Sequence, residues 1–281
     1  MTLIRDLNED QYHAATDSLS ASGAKTLLGR RPPSPDSEAI LFGRLVHTVI
    51  LEPHKLDTYA VLSPEIIGVK KDGTQADNPK ATAAWKDAVF KAKQDGLTII
   101  DPATLAHAEA LSAAIHKHPE AGRLLAAATE HEVSAYADHP SGAKVRGRFD
   151  LVGPGFIADI KTTRDGDPEH FGRSMHAFLY HVSAANYLDI ARASGLDVDR
   201  FDLITVEKEP TPGGDYRVSV LEIHPDAIEL GRDLMAEACR RWLDLGKRVD
   251  LPSYGDDRHV IDLPAYAYES DFEDIQIAEV S

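Results

Sequence analysis

The sequence is short of cysteine, of basic residues and of long apolar runs, and each shortage removes a class of protein. Its 281 residues include one cysteine, Cys239, so neither an internal disulfide framework nor a metal or iron–sulfur site built on several thiolates can form. Lys and Arg number 30 against 46 Asp and Glu, for a formal charge of −16. That excludes a chain coated in cations for gripping a polyanion non-specifically. It is compatible with acids gathered around divalent cations and basic residues confined to a channel, because local field steers a polyanion. No stretch approaches the roughly 18 apolar residues of a membrane span. The opening MTLIRDLNEDQYHAATDS carries acids where a secretory leader would be basic and then apolar. A soluble, cytoplasmic protein with no membrane partner is expected.

With 43% hydrophobic residues the chain can bury one substantial core. SLSASGAKTLLGRRPPSPDSEAILFGRLVHTVILEP predicts two helices joined by a proline elbow: Ser18 or Ser20 caps the first, Pro32, Pro33 and Pro35 break it, and Asp36 or Ser37 caps the second. The second, about Glu38 to Leu51, is apolar nearly all round and reads as buried. Residues 63–80, with Lys70 and Lys71, read as an exposed loop. Helical patterns at 81–94 and 102–118 flank a short strand, LTII. Strands follow at 132–138, 144–152 and 156–162, with Gly153-Pro154-Gly155 turning the last pair. One long helix over 168–193, the strands FDLITVEKE and YRVSVLEI and an amphipathic helix over 225–245 complete the pattern. The order predicts an α/β (α+β) fold, a central mixed sheet flanked by helices. It forms a single domain over 1–268, helical to about 128 with the core at about 129–250, and residues 269–281 form an acidic tail.

The chemistry concentrates in KVRGRFDLVGPGFIADIKTTRD, Lys144 to Asp165. Alternation places Arg146, Arg148 and Asp150 on one face and Val145, Phe149 and Leu151 on the other. On the next strand Ile157, Asp159 and Lys161 oppose Phe156, Ala158 and Ile160. Neighbouring carboxylates stay ionised cheaply only with a cation between them, and magnesium takes hard oxygen ligands. Asp150, Asp159 and the Ile160 carbonyl form such a donor set. Lys161 would orient a water or stabilise developing charge, and Arg146 and Arg148 would line the approach to a phosphate. An Asp-x-Lys triplet beside another Asp is equally the pattern of a solvated surface ion pair. His47, four residues after Gly43 on an apolar helix, is either a satisfied core histidine or a ligand for a second metal or a phosphate.

In order, SASGAKTLL, AILFGRLVHTVILEP, HEVSAY, KVRGRFDLV, ADIKTT and FLYHVSAANYLD resemble the RecE-like (exonuclease VIII) branch of the PD-(D/E)XK nuclease superfamily, commonly encoded by phages and prophages. The likeness runs from about Ser18 to Ala267. It implies a restriction-endonuclease-like core with an N-terminal helical addition. It casts Asp150 and Asp159 as metal carboxylates, Lys161 as the catalytic lysine, His47 as the early-helix histidine and Glu132 as the acid of the preceding strand. The family's Gln-x-x-x-Tyr pair would fall on Ser183 and Tyr187. Serine is too short for the glutamine's reach, so a water, His181 or Tyr180 takes its part, or the DNA-end contact is weakened. The resemblance further implies a Mg2+-dependent enzyme, Mn2+ substituting, that digests linear double-stranded DNA from the 5′ end and leaves 3′ overhangs. It also implies a RecT-like annealing partner, a ring-shaped homo-oligomer and, for a phage-encoded chain, the host cytoplasm. Lys25, Arg30, Arg31, Arg44, Lys70 and Lys71 are candidate DNA contacts. Two other readings remain: a nuclease-fold protein that binds DNA or a recombination partner without cutting, and a structure-specific endonuclease.

Overall fold

Strands dominate the middle of the chain and helices its two ends, an order that builds a sheet between two helical layers. The computed structural model describes residues 2–5, 7, 9–30, 37–70, 72–249 and 258–263. The proline elbow, Arg31, Lys71 and the acidic tail fall outside the described residues. In chain order the elements are β1 (Thr2–Ile4), α1 (Glu9–Ala14), β2 (Leu19–Ser20), α2 (Ala21–Leu27), α3 (Glu38–Leu51), β3 (Tyr59–Val61), α4 (Pro64–Ile67), α5 (Ala83–Gln94), β4 (Thr98–Ile100), α6 (Pro102–Lys117) and α7 (Pro119–Ala127). There follow β5 (Glu130–Asp138), β6 (Lys144–Gly153), β7 (Gly155–Thr163), α8 (Phe171–Ala177), α9 (Tyr180–Ala193), β8 (Val198–Glu207), β9 (Val218–Glu222) and α10 (Pro225–Asp244). All belong to a unit spanning Met1–Val249; Asp250–Ser281 form a second unit.

The main sheet runs β1-β5-β6-β7-β8-β9, with β2 joined to β6, and β3 pairs β4 in a separate sheet. β7/β8 and β2/β6 are parallel and the other main-sheet pairs antiparallel, so the sheet is mixed and flanked by helices. One apolar cluster, including Leu27, Phe149, Leu188 and Trp242, lies under α2, α9 and α10. The other, including Leu45, Leu111, Leu124 and Ile160, lies under α3, α6 and α7. Each fully buried Leu or Phe contributes roughly 1.5–3 kcal/mol.

One feature of this topology positions the site. β5 covers one edge of β6 along nearly its whole length, so β2 and β7 share the other. β2 takes Val145 and Arg146; β7 takes only Leu151, Val152 and Gly153. Residues 147–150 are therefore left between two ladders, and β6 and β7 part just past Leu151 and Ala158. The alternation slips there as well. Phe149 and Leu151 should share a face, yet Phe149 packs in the first cluster and Leu151 in the second. The expected grouping of Leu151 with Val145 and Phe149 is thus corrected by a local twist of β6 at Asp150.

Three further expectations are corrected. The single helix over 168–193 is two, α8 and α9, broken at Leu179, a buried residue with φ +50. Neither Gly nor Pro marks that break. Helix α3 has the expected bounds, but only Leu45, Val46, Ile50 and Leu51 are buried, while Glu38, Ala39 and Arg44 are exposed. The loop over 63–80 contains the helical turn α4. The amphipathic α10 docks closely on α9: a Cβ at Gly231 would lie 2.2 Å from the His181 carbonyl oxygen, a backbone atom that cannot swing away. Gly231→Val is expected to destabilise the fold by about 3 kcal/mol, read as a lowered urea midpoint with unchanged slope.

Candidate active site

Where β6 and β7 part, main-chain groups need new partners, and acidic side chains supply them. The Asp150 Oδ2 accepts the Ile160 N–H at 2.8 Å, standing in for a ladder carbonyl. The Ile160 carbonyl accepts from His47 Nε2 at 2.9 Å and from Lys161 Nζ at 3.3 Å. That bond fixes the His47 proton on Nε2 and turns Nδ1 toward two acids, Asp150 Oδ2 at 3.5 Å and Glu132 Oε1 at 3.7 Å. Asp150 and Asp159 are each 7% exposed, so neither is a solvated surface carboxylate.

Two layers of the fold converge here. His47 arrives from α3. Asp159 and Lys161 alternate with Phe156, Ala158 and Ile160, which pack under α3 and α6, so they face the α9 side, where the Lys161 ammonium lies 5.9 Å from the Tyr180 ring centre. Lys161 forms an ion pair with Asp159. Glu132 sits opposite Asp150, between the pairs His131–Leu151 and Val133–Phe149, and the ladder skips that position. Its φ of +49 is left-handed, a strain of order 1–3 kcal/mol for a residue with a side chain. The strain holds a second acid beside Asp150, with Arg148 as its counter-ion at 2.5 Å.

The electrostatics follow from burial and crowding. Burial and then the Asp159 charge push the Asp150 carboxyl well above the ordinary range, against His47 and Lys161. Burial lowers the His47 imidazole, but Asp150 and Glu132 outweigh it and raise it to about 9. Burial likewise pulls on the Lys161 ammonium, and Asp159 and Asp150 win, holding it protonated. Burial would raise Glu132; the His47 bond and charge, with Arg148, bring it below its usual value.

This donor set fits a hard divalent cation. Ligand atoms of His47, Glu132 and Asp150 lie within 4.8 Å of one another, Asp159 adds its charge, and the Ile160 carbonyl is an oxygen of the required kind. The positive charge a metal would bring is here supplied by His47 and Lys161, both already turned to the Ile160 carbonyl.

The other expected residues scatter. Arg146 is 7% exposed, donates to the Ser18 carbonyl and, at 3.2 Å, its Oγ, and stacks on Tyr12 at 5.2 Å. Arg148 is spent on Glu132 and the Leu7 carbonyl, 2.7 Å away. Neither lines a phosphate approach; both brace β6, which a two-strand face pattern cannot reveal. Tyr187 packs on Phe149 and Phe201, and burial raises its hydroxyl pKa well above normal. Ser183 is half-buried one turn before it. Of the two proposed stand-ins for the missing glutamine, Tyr180 faces Lys161, whereas His181 is buried, 3% exposed, where α10 crosses α9. Lys25, on the helix after β2, stands 5.3 Å from the Tyr180 ring centre; burial and then Lys161 lower its ammonium to about 8. Arg30 and Arg44 are exposed, Arg44 one turn before His47. Lys70 is paired loosely with Asp77 at 3.9 Å. Sequence reasoning missed Asn186, which donates to the Arg146 carbonyl at 3.1 Å; its signal was a polar side chain on the apolar face of α9.

Among the described residues no helix is long and apolar enough to cross a membrane. No curated protein matches the chain. Among solved structures, the "Putative exonuclease" of Eubacterium rectale is 16% identical over 94% of this chain and 98% of its own, with a TM-score of 0.56, a likeness of fold. Two more distant likenesses are a phage-related exonuclease from Haemophilus somnus and an alkaline exonuclease from Laribacter hongkongensis. The first is 16% identical over 66% of this chain and 95% of its own, with a TM-score of 0.32. The second is 13% identical over 73% of this chain and 94% of its own, with a TM-score of 0.30. Residues 12–262, most of the chain, match one family model, and the chain belongs to the PDDEXK-like domains of unknown function (DUF3799).

Proposed function

We propose that the protein is a Mg2+-dependent exodeoxyribonuclease that digests linear double-stranded DNA 5′ to 3′ and leaves 3′ single-stranded overhangs. The observation that carries this reading is the buried seam in which Asp150 replaces a ladder acceptor beside Asp159, Lys161, His47 and Glu132. Asp150, Asp159 and the Ile160 carbonyl would hold the ion, with His47, bonded to that carbonyl, and Glu132 beside Asp150 as further candidate ligands. The chemistry such an ion would supply at these residues is Lewis-acid polarisation of a phosphate and a lowered pKa for a bound water.

The chain's own groups do the rest. Lys161, kept protonated by Asp159, cannot serve as a base; its ammonium stabilises charge developing on the phosphate and orients the attacking water. His47 ties α3 to the Ile160 carbonyl and fixes that oxygen's direction. A ring-shaped homo-oligomer would retain the substrate between cuts even where contacts are few, which suits a chain with a net charge of −16. The overhang suits a RecT-like annealing partner, in the cytoplasm of a host cell.

Duplex labelled at each end tests the proposal, with Mg2+, with Mn2+, with chelator, and with Asp159→Ala. Release of nucleotides from 5′ ends, abolished by chelator and by the substitution, is expected. Tight binding without cleavage would instead support a non-cutting DNA-binding role, and internal cutting of a nicked circle a structure-specific endonuclease.

A further inference from the structure

Beside the seam, three aromatic rings climb from the core to the surface. Phe171, 5% exposed, stacks on Tyr180 at 6.1 Å and 15°. Tyr180 stacks on Phe178 at 5.6 Å and 27°, and Phe178 is 59% exposed. The ladder exists because the chain breaks at Leu179: its left-handed backbone sends Leu179 inward, 5% exposed, and Phe178 outward. More than half of the Phe178 side chain stays in water, so stacking on Tyr180 holds in place a ring whose outer face is free.

The surroundings identify what such a ring would meet. Lys161 and Lys25 both hold their ammonium groups near the middle ring, at 5.9 and 5.3 Å. Lys161 has Asp159 as its partner. Lys25 has no carboxylate within ion-pairing distance among the described residues, although it is half-buried. An exposed aromatic face beside a cation that Asp159 acts on only from beyond ion-pairing distance suits a molecule that alternates flat apolar rings with anions. A single-stranded nucleic acid does so.

We infer that Phe178 is a stacking platform for a nucleobase of the strand being cut, with Lys25 holding a neighbouring phosphate. This rests on the proposed nuclease reading for the identity of the strand. The Tyr180 ring neighbours both the platform, at 5.6 Å, and the Lys161 ammonium, at 5.9 Å, so the base held there belongs to the terminal nucleotides. Phe178 would thereby help keep the strand end frayed and its phosphate at the seam. It is a positioning residue, and stacking of this kind tolerates any base, since every base has a π-face.

The test is a double-substitution cycle read by binding. Fluorescein-labelled duplex with a frayed 5′ end is titrated with full-length protein in Ca2+ by anisotropy, while an abasic residue is moved through the terminal nucleotides. The expected result is one position at which the abasic residue weakens wild-type binding about tenfold. Phe178→Ala should weaken binding to the intact strand by the same factor, and the two changes together should be no worse than either. Phe178→Trp should retain affinity. Unchanged DNA affinity in Phe178→Ala, or losses that multiply at every position, would overturn the inference. So would a change of oligomeric state with unaltered DNA affinity, which would assign the ring to a subunit contact. If wild type cleaves no DNA while the cycle shows coupling, the nuclease reading falls and the platform stands. Normal cleavage with an uncoupled cycle means the reverse.

Discussion

Asp150→Asn and Asp159→Asn are each expected to reduce DNA hydrolysis about a thousandfold or more while leaving the protein folded. Lewis-acid stabilisation of a phosphoryl transition state is worth several kcal/mol, and each 1.36 kcal/mol is tenfold in rate. Removing one charge from a site whose cation depends on two or three should forfeit most of that. The fold should survive because the seam asks Asp150 only for an acceptor toward the Ile160 N–H, which the amide oxygen of asparagine also provides. Burial already raises the Asp150 pKa, so the neutral isostere is well tolerated. The check is paired: specific activity on labelled duplex and the thermal midpoint on the same preparation. A large fall in the midpoint would mean that the carboxylates are structural.

The second large effect is on stability. Saturating MgCl2 should raise the thermal midpoint much more at alkaline than at mildly acidic pH. The folded state holds the His47 proton more tightly than an ordinary imidazole does, about 9 against 6.5. Its contribution to stability is therefore complete below pH 6.5 and is lost as pH rises through about 9. The raised Asp150 carboxyl acts in the same direction: its protonated form favours the fold, so stability declines as pH climbs above the ordinary carboxyl range. In chelator the midpoint should fall across this window. A divalent cation supplies the missing charge and expels protons on binding, so with Mg2+ the decline should flatten. Calorimetry in buffers of different ionisation enthalpy should register proton release, reduced in His47→Gln. A metal-induced shift independent of pH would contradict this coupling.

How far the sequence could be read depended on whether the governing contacts are local. The β6–β7 hairpin was legible because two apolar-rich strand patterns flank Gly153-Pro154-Gly155, and the turn residues and strands are neighbours in the chain. The bounds of α3 were legible because Ser37 stands at its N-terminus, although its hydroxyl makes no capping bond, and Pro53 follows its end. The seam itself was not. It exists because β2, a two-residue strand from more than a hundred positions upstream, takes Val145 and Arg146 and prevents β7 from pairing further along β6. Nothing in LS at 19–20 announces that. The left-handed residues Glu132 and Leu179 carry no glycine or asparagine to signal them; tertiary packing imposes both. Arg146 and Arg148 point off the predicted face, but their partners, Ser18, Leu7 and Glu132, are distant in sequence. A face pattern gives the direction of a side chain without saying whether solvent or protein waits there. Asp150, Asp159, Lys161, His47 and Glu132 do meet in one buried cluster, and the motifs had singled out each of them.

The central claim is that the opening between β6 and β7 is a seat for a hard divalent cation. Crystals grown with Mn2+, measured at and away from the manganese absorption edge, test it most directly. The account predicts an anomalous peak bounded by the carboxylates of Asp150 and Asp159 and the Ile160 carbonyl, with His47 or Lys161 swung off that oxygen. Manganese-loaded crystals with no peak there, and both cationic side chains still bonded to Ile160, would contradict it.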